Sequence, residues 1–227
     1  MFRKILLIIF PLLCNLPLSA QTSGYQLWRF DDLGAWKYVH QDDNPNKQVT
    51  IKNGVVCIYT RSNTFDRKKI HTREKVYTTG KYIWRTYISD LGEGDQTSIA
   101  NFLYCDDHHE LDFEVGYGKK AIRKELNAAP SEMIAYMTSQ DFPFQSVPVK
   151  IKAGWHLFAI DLKLVNGLYT CSWLIDNVLM DSLSLNYGNA FKFYIYCSVE
   201  NLKFIGDHPA KKDNYALFDF VKYRFHN

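Results

Sequence analysis

No charge of one sign dominates this chain of 227 residues. Its 27 Lys and Arg face 24 Asp and Glu, for a net charge of +3 with His neutral, and the basic residues are scattered. Nucleic acid is therefore not expected as a partner, because phosphate binding asks for a massed basic face. The run Arg67-Lys68-Lys69 is too short to supply one and reads as a solvated loop. The cysteines contain no CxxC pair, so zinc-site spacing is absent. There is no internal repeat, no low-complexity linker and no strand–helix–strand alternation, which excludes a parallel α/β architecture. No apolar run after the N-terminal segment approaches the length of about 20 residues needed to cross a bilayer.

What is present begins with a targeting pattern. Arg3 and Lys4 precede the apolar run Ile5 to Leu13, and Leu16 to Ala20 ends in small residues. This reads as an export signal cut after Ala20, leaving residues 21–227 as one domain. Leu12-Leu13 before Cys14 lacks the small residue of a lipid-attachment site. The mature chain is expected to be periplasmic or extracellular, free of the membrane and monomeric. Cys57, Cys105, Cys171 and Cys197 each sit in a strand-like apolar run. Buried free thiols are the expected state, and one or two disulfides of open connectivity are the alternative.

With 47% hydrophobic and 22% charged residues the chain can fill a core, and 15 Tyr, 15 Phe and 5 Trp suit strands and sugar-stacking surfaces. After a polar opening, β-rich runs cover Gln48 to Ile51, Val55 to Thr60, Lys81 to Ser89 and Thr97 to Cys105. Others span Glu110 to Val115, Met133 to Thr138, Val147 to Ile151, His156 to Leu162, Tyr169 to Ile175, Phe191 to Ser198 and Leu217 to Arg224. Asn53-Gly54 between two such runs is a hairpin signal, and Gly, Asn and Asp punctuate the later runs at Leu91 to Asp95, Val165 to Gly167, Asp176-Asn177 and Gly188-Asn189. Only Lys119 to Leu126 has helical spacing. This pattern predicts an all-β fold of two antiparallel sheets packed face to face.

The chemistry concentrates in Glu110-Leu111-Asp112-Phe113-Glu114-Val115, which alternates strictly. A strand sends successive side chains to opposite faces, so Leu111, Phe113 and Val115 enter the core and three carboxylates stand in a row on the other side. Folding alone does not call for three acids in line. On a curved sheet the outer two lean together, and carboxyls about 5 to 5.5 Å apart suit a retaining glycosidase. Asp112 between them can share a hydrogen bond, keeping one neighbour ionised while the other's pKa rises.

These residues match the Glu-x-Asp-x-Glu signature, and the chain resembles glycoside hydrolase family 16, the laminarinases and lichenases with a concanavalin A-like jelly roll. Arg73 to Tyr82, Thr97 to Tyr104, Trp155 to Asp161, Ser172 to Asn177 and Phe218 to Tyr223 resemble flanking family segments in the same order. The resemblance implies a jelly-roll β-sandwich and endo-hydrolysis of a β-glycan with retention. In it Glu110 is the nucleophile, Glu114 the general acid/base and Asp112 the residue that tunes the pair. It implies a polysaccharide or oligosaccharide partner and no cofactor; relatives carry calcium on the convex side, but no acidic loop here identifies a metal site.

Candidate substrate contacts are Tyr117, which follows the signature through Gly116; Trp84 and Tyr82, which share a strand face; His109, beside the acids; and Tyr196, where many members of the family have a cleft tryptophan. The face carrying Tyr82 and Trp84, or the opposite one with Ile83 and Arg85, is expected to line the cleft. Trp28, Trp36, Trp155 and Trp173 have a core reading. The altered aromatic positions leave a second possibility, a non-catalytic carbohydrate-binding protein on the same fold.

Overall fold

The structure is a computed structural model that describes residues 24–226, so the export signal and Cys14 lie outside the described residues. Three turns show how the sequence builds the sheets. Asn53 and Gly54 (φ 53° and 74°), Asn166 and Gly167 (51° and 83°), and Asp176 and Asn177 (51° and 67°) are left-handed at both positions. That is the backbone of a two-residue hairpin whose twist matches its strands. Lys52 duly faces Val55, Val165 faces Leu168, and Ile175 faces Val178.

The strands are β1 (Gln26–Arg29), β2 (Trp36–His40), β3 (Val49–Lys52), β4 (Val55–Thr60), β5 (Arg67–Thr72), β6 (Gly80–Ile88), β7 (Thr97–Asp106) and β8 (His109–Gly116). A short helix, α1 (Lys120–Glu125), follows. Then come β9 (Glu132–Ser139), β10 (Gln145–Lys152), β11 (Gly154–Val165), β12 (Leu168–Ile175), β13 (Val178–Ser184), β14 (Tyr194–Asn201) and β15 (Asn214–Arg224). Among the described residues no helix is long and apolar enough to cross a membrane.

One sheet runs β13-β12-β11-β6-β15-β4-β3, with β1 also paired to β15. The other, seven-stranded, runs β10-β9-β8-β7-β14-β5-β2. Every pairing between these strands is antiparallel. The expected all-β jelly-roll sandwich is therefore the fold. Strand β14 begins at Tyr194, three residues later than the β-rich run at Phe191 suggests. Cys57, Cys105, Cys171 and Cys197 are all free thiols, three of them buried and Cys57 half-buried.

Between the sheets lie Trp84, Trp173, Tyr82, Tyr169, Phe113 and Phe158, all fully buried. Tyr82 and Trp84 therefore face the other sheet rather than a cleft, and the tyrosine hydroxyl donates to the Thr78 carbonyl. Ile83 and Arg85 look outward from the eight-stranded sheet, so neither face of β6 meets the acids. Trp28, Trp36 and Trp173 are buried as expected, but Trp155 is 38% exposed on that outer face, with the Arg85 guanidinium 4.3 Å from its ring centre.

Arg67-Lys68-Lys69 is not a solvated loop but the start of β5. Lys68 is fully buried, and its ammonium donates to Asp42 Oδ1 at 2.8 Å and to the Asn44 carbonyl at 2.7 Å. Removing one member of such a pair strands a charge out of water, at a cost of about 3–5 kcal/mol. Asp42→Ala is thus expected to lower the denaturant midpoint sharply. The double variant with Lys68→Met should recover most of the loss; equal midpoints for Asp42→Ala and the parent would show that Lys68 finds water instead.

Candidate active site

Strand β8 delivers what its alternation dictates. Leu111, Phe113 and Val115 are fully buried between the sheets, and Glu110, Asp112 and Glu114 stand on the outer face of the seven-stranded sheet. There they line a cavity of about 650 Å³ together with residues of β2, β5, β7 and β14.

Register sets the neighbours of each acid. On β7, Glu110 faces Tyr104, Asp112 faces Phe102 and Glu114 faces Ala100. Continuing across the sheet, Phe102 faces Tyr196 and Ala100 faces Ser198 on β14, and those face His71 and Lys69 on β5. The middle row is a file of stacked rings: Phe102 and Tyr196 lie 4.5 Å apart at 13°, and Tyr196 and His71 lie 4.8 Å apart at 25°. The Tyr104 ring meets Tyr196 edge-on at 5.8 Å. Beside this ridge Ala100 and Ser198 leave a low strip of floor next to Glu114. Ser98, one row further along, places its Oγ 3.5 Å from Glu114 Oε1.

The acids are not ordinary surface carboxylates. Burial, above all, pushes Glu114 up to about 8, and the charges of Glu200 and Glu110 add to it. Burial likewise pushes Glu110 up to about 7, although a hydrogen bond with Asp112 and the charge of Lys69 oppose the rise. Asp112 is held well above the usual carboxylate range by burial and then by the charges of Glu110 and Glu114. The three titrate as one unit, and the hydrogen bond between Asp112 and Glu110 raises the carboxyl of Asp112 while it lowers that of Glu110. The site thus gathers three coupled carboxyl groups on one strand, each raised by burial.

Of the other residues singled out from sequence, Tyr196 lines the cavity. The remaining four do not, and each has a physical reason. Trp84 is in the core, yet its indole N–H donates to the Tyr196 carbonyl at 3.1 Å, so it braces the backbone beneath the ring that lines the cleft. Tyr82 lies beside it in the core, as above. Tyr117 is buried at the far end of β8 under the Arg123 guanidinium, 3.7 Å from its ring centre. His109 shares the face of Leu111, bonds Asp106 Oδ1 at 2.7 Å and stacks on Phe191 at 4.0 Å.

Residues the sequence did not announce complete the cleft. Phe102 and Tyr104 could have been found by carrying the alternation of β8 across to the preceding strand. Arg67, Lys69 and Glu200 come from strands distant in sequence and Gln41 from the segment just after β2, and no local signal marks them. Among the described residues no group of three or more His, Cys, Asp or Glu is gathered so as to hold a metal ion, so no calcium site is assigned.

No protein-family model and no curated protein matches the chain. Solved structures do. A Bacillus licheniformis β-glucanase superposes with a TM-score of 0.62 at 15% identity, over 91% of this chain and 100% of its own. A LamA variant from Zobellia galactanivorans, solved with laminaritriose and laminaritetraose, superposes at 0.58 and 12% identity, over 84% and 92%. A Mycobacterium tuberculosis protein described as a pseudo β-1,3-glucanase superposes at 0.63 and 13%, over 85% and 91%. The chain has the fold of the family 16 β-glucanases, the class its sequence resembles.

Proposed function

We propose that this protein is an exported glycosidase that cleaves internal bonds of a β-glycan with retention of configuration. The observation that carries the reading is the row Glu110, Asp112, Glu114 on the floor of an open cleft. Glu110, the more easily ionised of the outer pair, attacks the anomeric carbon. Glu114, which keeps its proton to higher pH, gives that proton to the departing oxygen and later takes one from water. Asp112, its carboxyl raised by burial, hydrogen-bonds Glu110 and tunes the pair. The Phe102–Tyr196 ridge offers aromatic surface to the sugar's C–H faces. Export rests on the pattern of Arg3 to Ala20.

The test is release of reducing ends from laminarin, lichenan, agarose and carrageenan, with the anomer formed first read by NMR. The two glucans come first because structural neighbours carry β-glucanase names. Activity should follow a bell whose acid limb lies near pH 7, as Glu110 takes up its proton, and whose alkaline limb lies near pH 8, as Glu114 loses its own. Release of the inverted anomer, or a rate flat across both limbs, would overturn the assigned roles.

One observation favours a second reading, glycan binding without cleavage: among the described residues no tryptophan lines the cavity, so its stacking surface is smaller than the aromatic content suggested. No cleavage of any polymer, together with glycan affinity unchanged by Glu110→Gln, would establish it.

A further inference from the structure

A fourth carboxylate, Glu200, lines the same cavity although nothing near it in sequence suggests a site. It projects from β14 opposite Ser98 of β7, the residue whose hydroxyl also approaches Glu114. The two acids therefore flank one small side chain from strands about 9.5 Å apart, twice the inter-strand spacing. Glu200 is 4% exposed and doubly paired: Lys69 Nζ donates to Oε1 at 2.9 Å and Arg67 Nε to Oε2 at 2.6 Å. Gln41 Oε1 accepts a second hydrogen from Lys69 at 2.7 Å. The ammonium then lies 5.9 Å from the centre of the Phe102 ring, which stands directly beside Asp112.

We propose that Glu200 is a positioning residue that fixes Lys69 at the edge of the acid cluster, so that the two halves of the ion pair act on Glu110 and Glu114 with opposite fields. The inference rests on the glycosidase reading of this cleft and names the device that sets its working state. A lysine on a flexible stem would otherwise fold toward whichever carboxylate is nearest. Anchored by Glu200 and Gln41, it holds one distance, and Arg67 keeps Glu200 ionised. Burial alone would raise the carboxyl of Glu200, yet Lys69 and Arg67 hold it below its usual range. The same pair appears from the other side: the charge of Lys69 lowers both Glu110 and Glu114, and that of Glu200 raises both.

Other groups facing the cluster do not duplicate this arrangement. Asp107, in the turn after β7, adds to the rise at Glu110. Tyr104, Tyr196 and Tyr136 are phenols pushed up by burial and stay neutral. His71 on β5 is pushed down by burial and is neutral at pH 7. Among the described residues Arg67 is the only other cation lining the cavity, and Glu200 takes its Nε.

The test reads the acids directly, without turnover. In protein carrying ¹³C-labelled Glu, the side-chain carboxyl signals of Glu110 and Glu114, assigned by loss of each in Glu110→Gln and Glu114→Gln, are titrated in the full chain. Glu200→Gln should move both midpoints down, by on the order of half a pH unit or more. Lys69→Met should move both up by a similar amount, and Lys69→Arg, which keeps the charge, should move them little. Shifts of the same sign in Glu200→Gln and Lys69→Met, as general loosening would give, overturn the proposal; so do midpoints that stay put. Should Glu200→Gln fail to fold, the contrast between a rise in Lys69→Met and little change in Lys69→Arg decides the matter. Absence of glycan cleavage by the parent would count against the glycosidase reading alone, because the titration needs no substrate.

Discussion

Glu110→Gln should lower glycan turnover by on the order of 10⁴-fold or more while changing oligosaccharide affinity by no more than about threefold. The amide keeps the shape of the carboxyl and its place on β8, but it has no lone pair basic enough to attack the anomeric carbon. Glu114→Gln should behave differently. It removes the proton donor, so turnover of natural polymers falls by about 10²–10⁴-fold. An aryl glycoside whose phenol leaves without protonation should lose far less in its first step. The comparison of polymer and aryl substrates across the two variants therefore separates the roles. Were Glu110→Gln the one rescued by a good leaving group, the roles would be exchanged; were both variants to keep turnover within about tenfold, neither would be catalytic.

The second large effect concerns stability. In the unfolded chain Glu114 titrates near 4.5, whereas burial in the folded chain holds it up to about 8. Between those values the folded protein keeps a proton that the unfolded chain releases. Stability therefore declines as pH rises through that window and levels off above it. Glu110, raised to about 7, contributes in the same direction. Glutamine does not titrate, so Glu114→Gln should melt higher than the parent at pH 8 and equally at pH 4. The gain is at most a few kcal/mol, and a domain of this size moves roughly 2–4 °C per kcal/mol. Melting curves by circular dichroism at pH 4, 6 and 8 suffice. A variant no more stable at pH 8 would mean that water already solvates the carboxylate, and with it the raised protonation on which the acid role of Glu114 depends would be lost.

Much of the sandwich was legible because its signals are local. The left-handed turns at Asn53-Gly54 and Asn166-Gly167 and the two-residue period of Glu110 to Val115 need no knowledge of distant neighbours. What failed was whatever depends on which surface a strand face meets. Tyr82 and Trp84 do share a face, but only the placement of β6 in the eight-stranded sheet shows that this face looks inward. His109 was within reach, since alternation puts it with Leu111 rather than with Glu110. Three consecutive cations hid β5, whose Lys68 is matched by Asp42 from a segment 26 residues earlier. Glu200 carries no mark in its own segment, because its partners lie on β5.

The order of the strands has a consequence for how the cleft comes into being. Strands β7, β8 and β9 follow one another in sequence, β7 and β8 through a tight turn and β8 and β9 through the segment that holds α1, so the acid-bearing strand can find its neighbours early. Strand β14, which sits between β7 and β5, is made much later, and β15, the partner of β1, β4 and β6, later still. The first half of the chain cannot complete either sheet without these two central pieces, and such long sequence separations make closure slow. Glu200 and Lys69 meet only when the late strand docks, so the acids acquire their fixed counter-charge in the same event that completes the molecule.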